Sequence, residues 1–287
     1  MIALANKTNV EGLKKIWQIC FGDSEAYIDS FFQKQMKPEN TLVYYHNQEL
    51  PVAMLFLLPA KLNVQGQVFP AQYLYAACTL PEYRGRGYMK QLVDAASELG
   101  KGRGIANTIL VPAEESLFEF YKKCGYQRFF QRKVLKLSKE ELTAYGSGSC
   151  QKLSVSIAGI IKQRNFFLQA SNSVQWPDCH IQYAVEEAFS VGGGVLCTDY
   201  GYAFYKFCDE AVVIYELTIP SQYFGIFLNL LLENFPQNET FIFHCNSCWI
   251  PPKGINFEKY WYGMLRCEDT SFNMTQGMGA YLSLALD

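Results

Sequence analysis

Thr79-Leu-Pro-Glu-Tyr-Arg-Gly-Arg-Gly-Tyr-Met89 is the most informative stretch of this sequence. It follows an apolar run over residues 73–78 and precedes residues 88–99, in which apolar side chains recur at helical spacing. Gly100 supplies a stop signal for that helix. The pattern predicts a strand, a tight turn and an amphipathic helix, in that order.

The glycines and arginines of this turn predict an anion-binding site. Backbone N–H groups in the first turn of a helix have no intrahelical partner, and the helix dipole adds positive potential there. Gly85 and Gly87 carry no side chain, so the main chain can come close to a phosphate, and Arg84 and Arg86 add charge. The turn is therefore suited to a diphosphate, although an ordinary strand-to-helix turn with surface arginines is the alternative.

The same residues resemble the acetyl-CoA diphosphate loop of GNAT-type N-acetyltransferases, whose pattern is Gln/Arg-x-x-Gly-x-Gly/Ala. Arg84 and Gly87 match the first two fixed positions, whereas Met89 stands where the family usually has Gly or Ala. That position contributes an amide and opens the helix, so the departure is mild. The resemblance implies that acetyl-CoA is held by Arg84, Gly85, Arg86, Gly87, Tyr88 and Met89.

The resemblance also assigns roles to the strand before the loop. In that family the strand splays from its neighbour at a bulge, and its main-chain groups pair with pantetheine and the thioester oxygen. Carried over, these positions are Ala77, Cys78 and Thr79, and the resemblance adds Ser116 to the cofactor-binding residues. Cys78 could instead be a nucleophile, but no His follows in a suitable relation, so a small buried residue beside the cofactor is favoured.

A second motif lies at residues 120–126, Phe-Tyr-Lys-Lys-Cys-Gly-Tyr, which resembles the family signature Phe-Tyr-x-x-x-Gly-Phe/Tyr. The resemblance makes Tyr121 the proton donor to the leaving thiolate. A phenol with a pKa of about 10 is protonated at neutral pH and can supply that proton. The alternative is a core aromatic on the amphipathic helix predicted for residues 114–123.

Composition limits the function classes. The chain has 287 residues, which suggests two domains or one large one, and 49% of them are apolar, enough for a sizeable core. A net charge of −2 argues against a nucleic-acid partner. The ten cysteines lack framework spacing, and no apolar stretch reaches transmembrane length, so we expect a cytoplasmic protein with reduced thiols and no membrane partner. Composition says nothing about oligomeric state.

No metal site is expected. Cys245-Asn-Ser-Cys248 has metal-like spacing and follows His244, but a structural zinc would need further ligands, and only Cys267 is a candidate. The apolar strand pattern around these residues favours an ordinary strand.

The chain opens with two predicted helices, residues 8–20 and 24–36, followed by strands, as GNAT proteins do. The segment between these helices commonly borders the acceptor site in that family. Asp23, Glu25 and Asp29 lie there and could meet a cationic amine, or they could be solvated helix caps.

The second half of the chain echoes the first. The order strand, proline, helix, strand recurs around Pro220 as it does around Pro81, but Ser221-Gln-Tyr-Phe-Gly replaces the Arg/Gly loop. A polar hinge at residues 146–150 separates the halves. We therefore expect an α/β (α+β) fold of tandem GNAT-like mixed sheets flanked by helices. Residues 1–145 would be the acetyl-CoA-binding GNAT domain, and residues 150–287 a degenerate GNAT-like domain.

Residues 278–287 are apolar almost to the end, which predicts a docked terminal strand. In the enhanced-intracellular-survival (Eis) type of multi-domain acetyltransferase, the C-terminal carboxylate reaches the active site of the first domain. This chain resembles that type in its first-domain motifs and its second GNAT-like half, but it is shorter and has no evident sterol-carrier-like domain. The resemblance makes Asp287 a candidate catalytic residue, with simple strand docking as the alternative.

Together these features predict direct attack of a primary amine, on a small molecule or a peptide, on the acetyl group of acetyl-CoA. The general base and the identity of the amine are not readable. Tandem GNAT-like halves also occur in aminoacyl transferases that use aminoacyl-tRNA, but this chain lacks the basic surface such an enzyme needs. A CoA-binding regulator without turnover is the remaining alternative.

Overall fold

The computed structural model describes residues 1–154 and 156–286, apart from the side chain of Lys7. These residues form two compact units. The first consists of Met1–Leu62, Val68–Arg128 and Gly263–Asn273, and the second of Asn63–Gln67, Phe129–Tyr262 and the residues from Met274 onward. Compactness is not independent folding, so the division into domains 1–145 and 150–287 stays a prediction.

The two units contain both strands and helices, and β3 and β4 are long strands of 15 and 13 residues. The strands are β1 (Ile2–Leu4), β2 (Thr41–His46), β3 (Leu50–Val64), β4 (Gln67–Thr79), β5 (Asn107–Leu110), β6 (Gln127–Ser138), β7 (Ser173–Gln175), β8 (Gly194–Thr198), β9 (Gly201–Cys208), β10 (Ala211–Leu217), β11 (Thr240–Asn246) and β12 (Glu258–Cys267). The helices are α1 (Val10–Phe21), α2 (Glu25–Lys34), α3 (Tyr88–Gly102), α4 (Glu115–Lys123), α5 (Lys139–Tyr145), α6 (Ile157–Leu168), α7 (Asp178–Ser190), α8 (Phe224–Asn234) and α9 (Met274–Gly277).

The first unit contains a mixed sheet in the order β1-β2-β3-β4-β5-β12. β1, β2 and β3 pair antiparallel, β4 and β5 pair parallel, and β12 pairs antiparallel with β5. Parallel neighbours need a crossover connection, and α3 supplies it between β4 and β5. This topology brings the carboxyl end of β4 and the first turn of α3 together, which is where open α/β sheets bind ligands.

An aromatic cluster fixes α1 and α2 in the first unit. Trp17 is 1% exposed, and its ring lies 4.8 Å from Phe31 and 5.6 Å from Phe56 between centroids. Large buried aromatic rings dominate core energetics, so this cluster sets the position of the helix pair. It also brings the last turn of α1 to the end of β4, where the Cys20 Sγ lies 3.5 Å from the carbonyl oxygen of Thr79.

The second unit repeats the crossover of the first. Its strand order is β6-β11-β10-β9-β8, with β10 and β11 parallel and connected by α8. β6 pairs antiparallel with β11, and β9 pairs antiparallel with β8 and β10. The predicted repeat of strand, proline, helix and strand is confirmed, because β10, Pro220, α8 and β11 follow the order of β4, Pro81, α3 and β5.

In the second crossover, between β10 and β11, protein side chains occupy the positions that are open in the first crossover, between β4 and β5. The Trp249 indole N–H donates to the carbonyl of Ile219 at 2.9 Å, and Ile219 precedes Pro220 as Leu80 precedes Pro81. Glu216, which corresponds to Ala77 in the same alignment of the two prolines, is buried in an ion pair with Arg164. The second crossover is therefore packed with protein groups.

The C-terminal residues dock inside the second unit, but not as a regular strand. Isolated bridges join Ala280 to Phe130 and Tyr281 to Ser173, both in parallel sense. Beyond these bridges, side chains hold the segment in place. Trp176 donates from its indole N–H to the carbonyl of Ser283 at 2.7 Å. The C-terminal segment thus docks as predicted, but it forms isolated bridges instead of a continuous strand.

Candidate functional site

The turn between β4 and α3 has the conformation that its glycines permit. Gly85 has a φ of 75° and Gly87 a φ of 78°, in the left-handed region where side-chain-bearing residues are strained. A Cβ built on either glycine meets no atom within 4 Å, so both face open space. The main chain here is exposed and can approach a ligand closely.

The first turn of α3 is free to hold an anion. Gly87 is the N-cap residue and no side chain caps the helix, while the first intrahelical bond runs from the Gln91 N–H to the Gly87 carbonyl at 3.2 Å. The N–H groups before Gln91 therefore lack intrahelical partners, and no acidic residue lies in the first turn to compete for them. This arrangement fits the helix-terminus anion site expected from the sequence.

The two arginines of the turn are both exposed and are oriented by main-chain carbonyls. Arg84 donates from Nε to the carbonyl of Thr79 at 3.0 Å. Arg86 donates to the carbonyl of Glu82 at 3.2 Å, and its guanidinium lies 5.2 Å from the centre of the Tyr83 ring. Their charge is therefore held at the turn while solvent reaches both side chains.

Tyr88 and Met89 are the first two residues of α3, directly after the turn. The ring of Tyr88 stacks on Tyr44 of β2 at a centroid distance of 4.0 Å, and its hydroxyl lies 3.4 Å from His46 Nδ1. Met89 is half-buried in the first turn of α3. Tyr88 thus packs the start of α3 against the sheet.

The end of β4 departs from regular strand geometry. Its parallel register with β5 runs from Ala71 to Tyr73, and Ala76 has a φ of 46°, which is rare for a residue with a side chain. The resemblance to GNAT proteins implied a bulge in this strand. Beyond it, Ala77 and Thr79 are half-buried and Cys78 is buried, so the strand edge expected to bind pantetheine is partly accessible.

Tyr121 lies on the buried face of α4, 7% exposed and 5.8 Å from the ring of Tyr126. Burial raises the pKa of the Tyr121 phenol above its ordinary value, and the nearby thiols of Cys124 and Cys78 raise it further. Cys78, a predicted cofactor-binding residue, is thus one of the groups that act electrostatically on Tyr121. A phenol in this setting stays protonated at neutral pH.

Two predicted residues are not joined to this group by any described contact. The Ser116 hydroxyl donates to the Glu114 carboxylate at 2.5 Å at the start of α4, so its cofactor role stays a prediction. Asp287 lies outside the described residues.

The carboxylates of the first two helices have structural partners. Asp23 accepts the indole N–H of Trp17 at 2.7 Å, and Asp29 forms an ion pair with Lys14 at 2.8 Å. Glu25 is exposed in the first turn of α2. Asp23 and Asp29 therefore stabilise the pair of helices α1 and α2. Their contact with an acceptor amine stays a prediction.

Cys20 belongs to this region, although the sequence gave no signal for it beyond its inward position on α1. The neighbouring Cys78 side chain and Arg84 lower the pKa of the Cys20 thiol to about 7, although burial opposes that shift. Burial, above all, raises the pKa of Cys78. The Cys20 thiol thus lies beside the strand edge expected to bind pantetheine, 3.5 Å from the Thr79 carbonyl oxygen.

Two general features of the chain bear on function. Within the described residues, no helix is both long and apolar enough to cross a membrane. In the same part of the chain, no group of three or more His, Cys, Asp or Glu side chains is arranged to hold a metal ion.

Comparison with known protein families gives a match for the first part of the chain. Residues 1–129 match the family model described as an acetyltransferase (GNAT) domain. No match was found among curated protein sequences. Residues 1–129 of this chain are therefore similar to a GNAT acetyltransferase domain, as the two motifs predicted.

Solved structures extend the likeness to almost the whole chain. A GCN5-related N-acetyltransferase from Anabaena variabilis is 17% identical with a TM-score of 0.78, covering 94% of this chain and 73% of that one. One from Kribbella flavida is 16% identical with a TM-score of 0.73, covering 93% and 70%. Eis1 from Mycobacterium abscessus is 15% identical with a TM-score of 0.69, covering 94% and 74%. At these identities the likeness establishes the fold, a tandem GNAT-like α/β architecture.

Proposed function

We propose that this protein is an N-acetyltransferase that moves the acetyl group of acetyl-CoA to a primary amine by direct attack. The observation that carries the proposal is the exposed turn at Gly85 and Gly87 before the uncapped helix α3. The GNAT family match of residues 1–129 supports the reaction class.

The turn fits a diphosphate on three counts. Both glycines project toward open space, the first-turn N–H groups lack intrahelical partners, and Arg84 and Arg86 supply positive charge without a neighbouring acidic first turn. We assign diphosphate binding to the backbone of residues 85–89 and to these arginines, and pantetheine contacts to Ala77, Cys78 and Thr79. Ser116 is retained as a further cofactor contact.

Acetyl-CoA supplies an activated acyl group as a thioester. The N–H groups at the end of β4 orient that group and favour the negative charge that develops on its oxygen. A neutral amine held next to it attacks directly, because positioning both reactants removes much of the entropic barrier. Tyr121 donates its phenolic proton to the departing sulfur, and the raised pKa of Tyr121 keeps that proton available.

The acceptor is an amine on a small molecule or a peptide, and the base that deprotonates it is water or a carboxylate. Asp287 is retained as a candidate for that carboxylate. We also propose a cytoplasmic location, where acetyl-CoA is present and thiols are reduced.

The test is acetyl-CoA-dependent acetylation across a panel of amines: an aminoglycoside, a polyamine, lysine and a peptide N-terminus. Tyr121→Phe should lower kcat by about 100-fold to 10,000-fold without weakening acetyl-CoA binding. Tyr126→Phe is the matched control, because the Tyr126 hydroxyl is buried without a hydrogen-bond partner and its loss should change little. Saturable CoA binding with no amine acetylated would contradict the proposal and favour a regulatory protein.

A further inference from the structure

The second unit contains a cavity of about 190 Å³. Every described residue that lines it belongs to that unit, and none of them is assigned above to acetyl-CoA. Its walls come from strands β6, β9, β10, β11 and β12, from the second half of α7 and from residues 281–286. At about 30 Å³ for each molecule of liquid water, this space holds about six waters or one small organic molecule.

Basic side chains from three strands line the cavity. Arg132 of β6 pairs with Asn246 of β11, and His244 lies two residues from Asn246, so Arg132 and His244 share one face of the sheet. Lys206 of β9 has its Nζ 5.5 Å from the centre of the Tyr215 ring. The sheet thus presents two permanent cations and one imidazole ring to the same space.

The electrostatics of the cavity favour an anion. Burial lowers the pKa of His244 to about 3, and the positive charges of Arg132 and Lys206 also lower it, so the ring is neutral at neutral pH. Among the described residues that line the cavity, Glu187 is the one carboxylate, against two cations. A concave site with an excess of one sign of charge attracts ligands of the opposite sign.

Arg132 has the geometry of a carboxylate-binding residue. Its guanidinium carbon lies 4.0 Å from the centre of the Tyr262 ring, and a stacked guanidinium keeps the N–H groups at its edge available for planar partners. Its Nε is buried and has no hydrogen-bond partner among the described residues. Buried donors are rarely left in this state, because the missing bond costs free energy. A carboxylate that accepts from Nε and from one terminal nitrogen satisfies Arg132 with two parallel hydrogen bonds.

The C-terminal wall of the cavity is fixed in a strained backbone conformation. Leu284 has a φ of 54° and Leu286 a φ of 60°, in the left-handed region that is costly for leucine. The Leu284 carbonyl accepts the His180 Nε2–H at 2.7 Å, and the Ser283 carbonyl accepts the Trp176 indole N–H at 2.7 Å. Strain of this kind persists only where neighbours hold the backbone, and it concentrates at ligand-binding sites. The wall is therefore preformed.

We propose that this cavity binds a small molecule with a carboxylate and a flat, aromatic body. The Arg132 guanidinium donates two hydrogen bonds to the carboxylate, and Lys206 adds positive charge to the same cavity. The rings of Tyr215 and Tyr262 and the apolar side chain of Leu284 suit an aromatic body. This ligand site goes beyond the proposed function, because none of its residues is assigned to acetyl transfer.

Benzoate and benzamide test the proposal on the full-length protein without acetyl-CoA. The two compounds share a shape, but benzoate alone carries a negative charge and two equivalent acceptor oxygens. In calorimetric titrations at constant ionic strength, benzoate should bind at least about tenfold more tightly, because charge-assisted hydrogen bonds are stronger than neutral ones. Equal affinities, or no saturable binding of benzoate, would overturn the proposal. Inorganic phosphate that binds more tightly than benzoate would overturn the carboxylate class. A protein that fails to bind acetyl-CoA would leave this result standing.

Variants of Arg132 locate the site. Arg132→Gln removes the charge, so benzoate affinity should fall about tenfold or more, to that of benzamide. Arg132→Lys keeps the charge and an aliphatic stem but lacks the planar fork, so it should also bind benzoate more weakly and decides the question if Arg132→Gln does not fold.

Arg128→Gln is the matched control. Its guanidinium also lies on an aromatic ring, 4.1 Å from the centre of Phe118, but Arg128 belongs to the first unit and does not line the cavity. This control should bind benzoate like the wild type. Wild-type benzoate affinity in the Arg132 variants, or an equal loss in Arg128→Gln, would contradict the proposal.

Discussion

Tyr88 stacks on Tyr44 with the ring centroids 4.0 Å apart and the ring planes 15° from parallel. The second unit contains the same kind of pair, since Tyr223 stacks on Tyr200 at 4.0 Å and 16°. Both pairs lie at the start of a crossover helix, yet only the first helix follows a turn with left-handed glycines. Aromatic stacking is therefore common to both units, whereas the left-handed glycines of the proposed diphosphate site precede only the first of the two helices.

The turn predicts a specific effect for Gly87→Ala. A left-handed φ strains any residue with a Cβ, so the free energy of unfolding should fall by about 1–2 kcal/mol. The added methyl would also project toward the proposed diphosphate, so acetyl-CoA affinity should fall further than the strain alone explains. Calorimetry and urea unfolding measure the two effects separately.

Gly104→Ala is the control for that variant. Gly104 has a φ of 72° and also faces open space, but it lies beyond the other end of α3. It should lose similar stability and keep wild-type affinity. Equal losses of acetyl-CoA affinity in Gly87→Ala and Gly104→Ala would contradict the assignment of diphosphate binding to the turn.

The pH dependence of turnover follows from the pKa of Tyr121. The acid form is required, and the pKa is raised above its ordinary 10.0, so kcat should show no fall from Tyr121 ionisation between pH 7 and pH 10. A kcat profile across that range checks this. A basic limb below pH 9 that disappears in Tyr121→Phe would contradict the account, because it would require a lowered pKa.

His180 predicts a loss of stability in acid. Burial lowers the pKa of His180 to about 4 from an ordinary 6.5, and the ring nitrogen Nε2 donates to the Leu284 carbonyl at 2.7 Å. Below pH 6.5 His180 takes up a proton in the unfolded chain, whereas in the folded protein it stays neutral until the pH falls to about 4. Between these values, His180 should lower the free energy of unfolding by about 1.4 kcal/mol per pH unit. Unfolding of wild type and His180→Gln at pH 7, 5.5 and 4.5 should show a smaller acid loss in the variant, and equal losses would contradict the prediction.

The ion pair of Arg164 and Glu216 should matter mainly when one partner is missing. Both side chains are 1% exposed, with Nε and Oε2 3.2 Å apart. Removing one partner buries an uncompensated charge, so Arg164→Leu or Glu216→Leu should cost about 3–5 kcal/mol in the free energy of unfolding.

The double variant should be more stable than either single variant, because no charge then remains buried. Denaturant unfolding of the four proteins completes the cycle. Additive losses would show that the two side chains act independently.

The sequence predicted the crossover, the turn and the second, degenerate copy because these depend on local chemistry. Glycine with positive φ, a proline before the turn and apolar spacing in the helix are all readable within a few residues. The short strand β1 was not predicted, since only its pairing with β2 makes Ile2–Leu4 extended. The helix α5, in the boundary segment around the predicted hinge, was also missed, although Ser138 and Glu141 form a capping box there.

Contacts between residues far apart in the sequence could not be predicted from the sequence. Cys20 reaches the Thr79 carbonyl only because the buried Trp17 fixes α1 on the sheet, and nothing local to Cys20 indicates that partner. Asp23 likewise looked available for an amine until the structure gave it the Trp17 indole. Such pairings depend on tertiary packing and not on local pattern.

The central claim is that the main-chain amides of residues 85–89 grip the diphosphate of acetyl-CoA. Calorimetric titration of the reduced protein with acetyl-CoA and with S-acetylpantetheine, which lacks the diphosphate, tests it most directly. Charge-assisted hydrogen bonds to an anion contribute enough that acetyl-CoA should bind at least about 100-fold more tightly. Equal dissociation constants for the two compounds, or no binding of acetyl-CoA, would contradict the claim.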